Sequence, residues 1–193
     1  TLEHVTLSAR MEDGAIVNGE TAIRKYGGRI ERLCLIPSHC KPVPATLEAI
    51  MEADAVIMGP GSLYTSIIPN LLVTGISEAL ARSQAKKVYV SNIMTEQGET
   101  DGFNAADHLR VIMGYVNQPI IDYVIINTGN IDDRRLQRYR EESAAPVESA
   151  YQSIREMGIT VVEGDLVSDT EVAWHDSGKL AQVIMKLIRG WRE

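Results

Sequence analysis

The sequence predicts an α/β protein: a mainly parallel β-sheet flanked by helices, with an antiparallel β-hairpin at its N-terminal end. Three observations carry that expectation. Short apolar runs alternate with helix-patterned stretches of about ten to fifteen residues, the signature of βαβ units. The segment VTLSARMEDGAIVNGE alternates like two strands about a turn at Asp13-Gly14. Three apolar runs, ending in AVIMG, KVYVSN and YVIINTG, lead directly into loops rich in Gly, Ser, Thr and Asn. In an open parallel sheet such loops gather beyond the carboxyl ends of the strands, where ligands bind.

Taken in order, the hairpin needs a neighbouring sheet, because two strands alone are marginal in water. IERLCLIP (30–37) reads as a strand that Pro37 stops, and PSHCKPVPA (37–45) as an extended connector. TLEAIMEA (46–53) has a helix-start pattern with Thr46 as the cap. The strand ADAVIMG precedes the loop GPGSLYTS, and a helix follows from about Pro69 to Ser83. Its residues Leu72, Ile76, Ala79 and Leu80 share one stripe. KKVYVSNI (86–93) is a strand, TEQGETDG a polar loop and AADHLRVIMGYV a helix; IDYVIINTG (121–129) repeats the strand-to-loop pattern. DRRLQRYREE is helical, and Pro146 opens a helix to about Met157. ITVVEGDLV supplies the last strand region and SGKLAQVIMKLIRGW a final amphipathic helix.

The length of 193 residues suits one domain with a full core, so residues 1–193 are read as a single α/β domain. The opening TLEHVTLSAR begins in mid-pattern, which suggests the C-terminal portion of a longer domain. A net charge of −7 argues against a general nucleic-acid binder. No apolar stretch approaches the ~20 residues that span a bilayer, and no signal-peptide pattern opens the chain. Cys34 and Cys40 read as reduced thiols, and the cytoplasm is the expected address.

GPGSLYTS (59–66) has the strongest chemical cast. Gly59 and Gly61 let a backbone approach a ligand, and Ser62 and Thr65 supply hydroxyl donors for anionic oxygens. A phosphate or nucleotide is the expected occupant; a tight strand-to-helix turn is the alternative. Tyr64 stands where a dinucleotide fingerprint needs its third glycine, and no P-loop Gly-Lys-Ser or Gly-Lys-Thr follows. A Gly-x-Ser-x-Gly nucleophile elbow is absent, and the histidines at 4, 39, 108 and 175 lack metal-ligand spacing. Asp107 and His108 fit capping and favourable charge at a helix start. Arg134, Arg135, Arg138 and Arg140 read as a solvated face paired with Glu141 and Glu142, the alternative being that one reaches a diphosphate. Tyr139, in their midst, either stacks on a base or sugar or packs.

Together, GPGSLYTSIIPNLLV, SNIMTEQGETDGF and NTGNIDDRRLQRYREE resemble the bacterial YvcK family of gluconeogenesis factors. That family is related to the CofD transferases, which attach phospholactate during deazaflavin coenzyme synthesis. The likeness covers essentially the whole chain and implies a Rossmann-like, CofD-like fold. Family members carry an additional N-terminal half with a glycine-rich loop and an acidic Asp-Asp-Gly-Gly segment, neither of which is in this sequence. The resemblance implies binding of a UDP-sugar, notably UDP-N-acetylglucosamine. It also implies a role in cell shape, wall synthesis and gluconeogenic growth, with no assigned catalysis. The family's tyrosine in Tyr-Arg-Glu-Glu, implicated in UDP-sugar binding, corresponds to Tyr139. An arginine before a His-Asp pair is implicated as well; here Trp174 precedes His175-Asp176. The family's Thr-Gln-Pro-Gly-Glu-Thr reads Thr95-Glu96-Gln97-Gly98-Glu99-Thr100, which loses a stiffening proline and keeps Glu99 and Thr100.

The expectation is a cytoplasmic nucleotide-sugar-binding regulator. Gly59, Gly61, Ser62, Tyr64 and Thr65 form one wall, with the backbone amides of Gly59 to Ser62 and the Ser62 and Thr65 hydroxyls toward the diphosphate. Asn92, Thr95, Glu99 and Thr100 line the neighbouring crevice, and Tyr139 closes over uridine or sugar. No metal ligand and no cofactor are assigned; Mg²⁺ enters only for a transferase. The expected partners are the UDP-sugar, proteins of wall synthesis and a second copy of the chain, with no nucleic acid and no membrane span. Two readings from other classes stay open. One is a 2-phospho-L-lactate transferase acting on a nucleotide-linked donor, its metal held largely by the acidic N-terminal segment. The other is a protein-interaction scaffold with no small-molecule ligand.

Overall fold

The computed structural model describes residues 1–190 and contains two sheets. The first is antiparallel, in the order β2-β1-β3, from β1 (Thr6–Met11), β2 (Ile16–Asn18) and β3 (Ile30–Ile36). The predicted hairpin pairs Ser8 with Asn18 and turns at Asp13-Gly14, where Gly14 has φ 87° and Asp13 Oδ1 accepts the Ala15 N–H. Helix α1 (Glu20–Tyr26) leads back to β3 through Gly27, and Leu33 and Leu35 point inward while Arg32, Cys34 and Ile36 point out. Cys34 and Cys40 are both free thiols.

The second sheet holds β4 (Ala55–Met58), β5 (Lys86–Val90), β6 (Tyr123–Asn127) and β7 (Thr160–Gly164), all parallel and in sequence order. Helix α2 (Pro44–Glu52) precedes β4, and each crossover is helical: α3 (Ile68–Leu71) with α4 (Ile76–Arg82), then α5 (Ala105–Tyr115), then α6 (Asp133–Glu141) with α7 (Tyr151–Glu156). Helix α8 (Ser177–Gly190) follows β7. This is the predicted α/β architecture. Burial on both faces explains the near-continuous apolar runs of the strands. In β5, Tyr89 joins a core with Ile68, Leu80, Leu109, Ile112 and Ile154. Its neighbours Val88 and Val90 face the opposite way, onto Leu166 and onto Leu180, Val183 and Leu187 of α8. Ala9, Met11 and Leu33 of the antiparallel sheet join the first of these cores.

Three expectations are corrected. Helix α2 starts at Pro44 with Val43 as its cap, so Thr46 lies inside the first turn; proline's fixed φ suits that opening position. The helix expected from Pro69 to Ser83 breaks at residues 72–75, where Gly75 takes φ 86°, and helical structure already begins with a π-helical turn at Leu63–Ile67. Pro146 does not open a helix. Residues 144–147 run beside 93–95 instead: Thr95 N–H donates to Ala145 O, Val147 N–H donates to Ile93 O, and α7 begins only at Tyr151. Trp191, at the end of the expected last helix, lies outside the described residues. Among the described residues no helix is long and apolar enough to cross a membrane.

Helix α5 is held at its start by a capping box. Asn104 Oδ1 accepts the Asp107 N–H, and Asp107 Oδ2 accepts the Asn104 N–H, each at 3.0 Å. Asp107 also pairs with Arg110, in keeping with the capping role read for it. Replacing the cap by Asn104→Ala should lower stability by about 1 kcal/mol in a denaturant titration, whereas Asn104→Asp, which can still cap, should lose less. Equal losses for the two variants would contradict the capping assignment.

Candidate functional site

Because β4 and β5 are parallel neighbours, the loops after them emerge side by side from one edge of the sheet. Between them opens a cavity of about 810 Å³. Of the residues expected at a site, Gly61, Ser62, Asn92, Thr95, Glu99 and Tyr139 line it. Gly59, Tyr64, Thr65 and Thr100 do not; they lie behind the wall and shape it.

Gly59 ends β4 with φ 93°, and a Cβ there would stand 3.0 Å from the Val90 carbonyl oxygen. Only glycine lets the chain cross so close over β5. At Gly61 a Cβ would meet Ser66 Cβ at 3.2 Å, so the loop folds tightly onto its own π-helical turn. Among the described residues, the N–H groups of Gly61 and Ser62 have no internal acceptor. Tyr64 is a core residue, and burial pushes its phenol up to about 12.

The first loop is tied to the second by one carboxylate. Glu99 Oε2 accepts the Tyr64 N–H at 3.1 Å, and Glu99 Oε1 accepts the Thr65 hydroxyl at 3.0 Å. Glu99 is only 6% exposed. Burial holds its carboxyl above the ordinary range and the Glu96 charge adds to this, while the bonds from Thr65 and Tyr64 and the Arg24 charge pull the other way. The Thr65 hydroxyl is therefore spent inside the protein. The rest of the second loop is braced in the same manner. Thr100 Oγ1 accepts the Glu96 N–H, Thr95 Oγ1 accepts the Ala145 N–H, and Asn92 Nδ2 donates to Glu96 Oε1. Gly98, at φ 80°, abuts Gly27: a Cβ added at Gly98 would stand 3.1 Å from the Gly27 Cα. That contact brings the end of α1, and with it Arg24, to the cavity.

The third polar loop does not reach the cavity. Asn127 Oδ1 accepts the N–H groups of Gly129 and Leu166, and a Cβ at Gly129 would collide with Asp165 Oδ1 at 2.1 Å. Its place is taken by Tyr139 of α6 and by a hairpin spanning residues 166–176, closed by the Val167–His175 bridge. Tyr139 does two things: its ring lines the cavity, and its hydroxyl accepts the Ala173 N–H at 3.0 Å. None of the four arginines of α6 lines the cavity. The pairing expected with Glu141 and Glu142 is also corrected, because Arg135 pairs with Asp132 and donates to the Ser168 and Thr170 carbonyls.

Eleven lining residues were not among the expected site members. The polar or aromatic ones include Arg24, Glu96, Glu142, Trp174 and His175, of which the sequence marks Trp174 only as standing where the family has an arginine. Arg24 sits on the other sheet's helix, and nothing local marks it. It is the one Lys or Arg among the described residues that line the cavity. His175 Nε2 is buried without a hydrogen-bond partner among the described residues. Burial lowers the pKa of this imidazole, against the opposing pull of the Ser91 backbone, so the ring is neutral at pH 7. Asp176, its neighbour, caps α8 by accepting the Lys179 N–H. The cavity's carboxylates are Glu96, Glu99 and Glu142, but no three His, Cys, Asp or Glu side chains converge to hold a metal ion among the described residues.

Comparison with known proteins places these features in a family. The family model described as 2-phospho-L-lactate transferase CofD matches residues 1–167. The gluconeogenesis factor of Bacillus subtilis (strain 168) is 42% identical over 186 residues, covering 96% of this chain and 59% of that protein. The gluconeogenesis factor of Listeria monocytogenes is 39% identical over 189 residues, covering 97% of this chain and 58% of that one. The crystal structure of a UPF0052 family protein from Bacillus halodurans matches with a TM-score of 0.91 at 41% identity, over 95% of this chain and 59% of the other. The chain thus spans less than two thirds of the length of these relatives. With the likeness extending over almost all of its own residues, the chain belongs to the CofD-like family, among the gluconeogenesis factors of the YvcK group.

Proposed function

We propose that the cavity binds a nucleoside diphosphate sugar of the UDP-N-acetylglucosamine type, and that the protein acts as a cytoplasmic regulator of cell shape, wall synthesis and gluconeogenic growth. The observation that carries the binding reading is the cavity itself. It lies at the carboxyl ends of β4 and β5, has the volume of a small-molecule site, and offers backbone N–H groups at Gly61 and Ser62 that have no internal acceptor among the described residues, with Arg24 on the same lining. Those donors suit a diphosphate. The lining is otherwise acidic, and carboxylates such as Glu96 and Glu142 suit the hydroxyl groups of a ribose or sugar, which donate to them.

The matched family model carries a transferase's name, which favours a second reading in which a nucleotide-linked donor is turned over. A Mg²⁺ ion for such a reaction finds a poor fit here. Both Glu99 oxygens are taken by Tyr64 and Thr65, and Glu96 accepts from Asn92. Calorimetric titration with UDP-N-acetylglucosamine, UDP, GDP and a phospholactate-linked nucleotide, with product analysis, separates the readings. Binding of uridine nucleotides without turnover is the expected result; turnover supports the transferase, and no response to any nucleotide supports an interaction scaffold.

Arg24 is exposed, so its removal should leave the melting temperature unchanged while weakening UDP binding more than tenfold, a loss of at least ~1.4 kcal/mol. Unaltered affinity in Arg24→Ala would remove the diphosphate from this end of the cavity. For Tyr139, the Phe variant keeps the ring and loses the bond to Ala173, so it should lose about 1 kcal/mol of stability and little affinity. Tyr139→Ala should lose both; normal UDP affinity in the Ala variant would end its assignment as a ligand contact.

Glu99 supplies a test through pH. Its carboxyl is raised in the folded state, so the stability it contributes is present below the ordinary value of 4.5 and is lost as pH rises through the raised value. Glu99→Gln keeps the shape, with an oxygen for the Tyr64 N–H and an NH₂ toward the Thr65 hydroxyl. In thermal melts the variant should gain on the parent as pH climbs from about 4.5 toward neutrality. A difference independent of pH would show that burial does not oppose ionisation at this position.

A further inference from the structure

The loop after β4 turns its donors in two directions. On the cavity side are the N–H groups of Gly61 and Ser62, which have no internal acceptor among the described residues. The Tyr64 N–H and the Thr65 hydroxyl, just beyond them, are given to the Glu99 carboxylate. Glu99 lines the same cavity and is almost fully buried. A diphosphate seated on Gly61 and Ser62 therefore comes up against a carboxylate that water screens poorly. The surrounding charge adds to the cost. Arg24 of α1 is the one Lys or Arg on the lining among the described residues, against carboxylates at Glu96, Glu99 and Glu142. Glu96 acts on Glu99 from their shared loop, and Tyr64 faces it from the π-helical turn. Tyr139 and Glu142, from α6 and its end, and His175 of the hairpin complete the titratable lining. Behind the loop, the buried Tyr89 of β5 and His108 of α5 feel the Glu96 charge as well.

We propose that the cavity takes up a proton together with its ligand: as the diphosphate seats, Glu99 passes from carboxylate to carboxylic acid, so that pH sets how tightly the ligand is held. The proposal rests on the nucleoside diphosphate sugar reading of the cavity. The proton comes from solvent, and Glu99 acts on the ligand through its charge, not by contact. Glu99 is the acceptor because the tie between the two loops survives the change. A protonated Oε1 donates to the Thr65 hydroxyl, which accepts as well as donates, while Oε2 still accepts the Tyr64 N–H. Burial already works against ionisation of Glu99, and a second anion pushes the same way. Glu96 is half-buried and Glu142 exposed, so solvent reaches and screens their charges. With ligand bound, the Glu99 carboxyl stands higher than in the free protein, where it already lies above 4.5. Affinity is thus greatest below the free-protein value and is lost as pH rises through the ligand-bound value.

UDP-N-acetylglucosamine is the probe, because a diphosphate esterified at both ends lacks the ionisation at about pH 6 of a terminal phosphate. Calorimetric titrations in PIPES, HEPES and Tris, whose ionisation enthalpies differ, report the protons exchanged on binding. The observed heat should depend on the buffer with the sign of proton uptake. Affinity should fall by up to about tenfold per pH unit within the range of about pH 5 to 8. Glu99→Gln, which is neutral at every pH, should exchange no proton and bind more tightly than the parent at the upper end of that range. Glu96→Gln leaves Glu99 and both its bonds in place, and should move the uptake to lower pH. Uptake that persists in Glu99→Gln, or a profile unmoved in Glu96→Gln, puts the proton on another group and overturns the proposal. Binding by the parent with no buffer-dependent heat at any pH also overturns it, and leaves the nucleotide-sugar reading standing. A parent that binds no UDP-N-acetylglucosamine overturns both.

Discussion

The cavity depends on one buried carboxylate. Glu99 accepts from the Tyr64 backbone with one oxygen and from the Thr65 side chain with the other, so the loop after β4 and the loop after β5 are joined through a single side chain. Neither loop has regular structure along its cavity face to hold it otherwise. A buried carboxylate with fewer donors would be costly, and burial indeed works against ionisation here. Two aligned donors are what make the charge tolerable, the exposed Arg24 adding least. Residues that read as ligand groups from their chemistry, Thr65 above all, are in this arrangement the means by which the cavity-facing backbone is held in place.

This division of labour explains how much of the molecule was legible in the sequence. Period-two and helical patterning located the hairpin, all four parallel strands and α5, because those patterns are set by burial on local faces. The polar loops after β4 and β5 were legible as neighbours because a parallel sheet sends them to one edge, where they wall the cavity. What failed was anything decided by a distant partner. Pro146 looked like a helix start, but the backbone around it is claimed by residues 93–95. The Asn-Thr-Gly loop looked like a third wall, but Asn127 turns inward to hold Gly129 and Leu166. The arginines of α6 looked like one solvated face, yet Arg135 reaches across to a hairpin more than thirty residues on. Arg24 had no local signal at all, since the packing of α1, including Gly27 against Gly98, delivers it.

The electrostatics of the cavity are more specific than its charge suggests. A lining with three glutamates and one arginine is an unpromising receptor for a dianion by simple counting. Backbone N–H groups change that judgement, because they donate without adding a mobile charge and their positions are fixed by the glycines around them. The acidic groups then repel an anion placed wrongly and accept hydroxyl groups placed rightly. On the proposed reading such a surface selects by arrangement, the ligand's charge lying in one segment and its hydroxyl groups in another.

Gly27 and Gly98 touch backbone to backbone, with no side chain between them. Side chains in ordinary packing contacts can rotate and take up small displacements; two glycines in contact cannot. The turn at the end of α1 and the loop that holds Glu99 therefore meet at that point with no side chain to cushion them. The antiparallel sheet, with Ile16 and Ile36 on its outer surface, is coupled directly to the floor of the cavity. A side chain at Gly98 would press on Gly27 and part that loop from the end of α1, so the seat of the antiparallel sheet beside the cavity requires a bare backbone at that position.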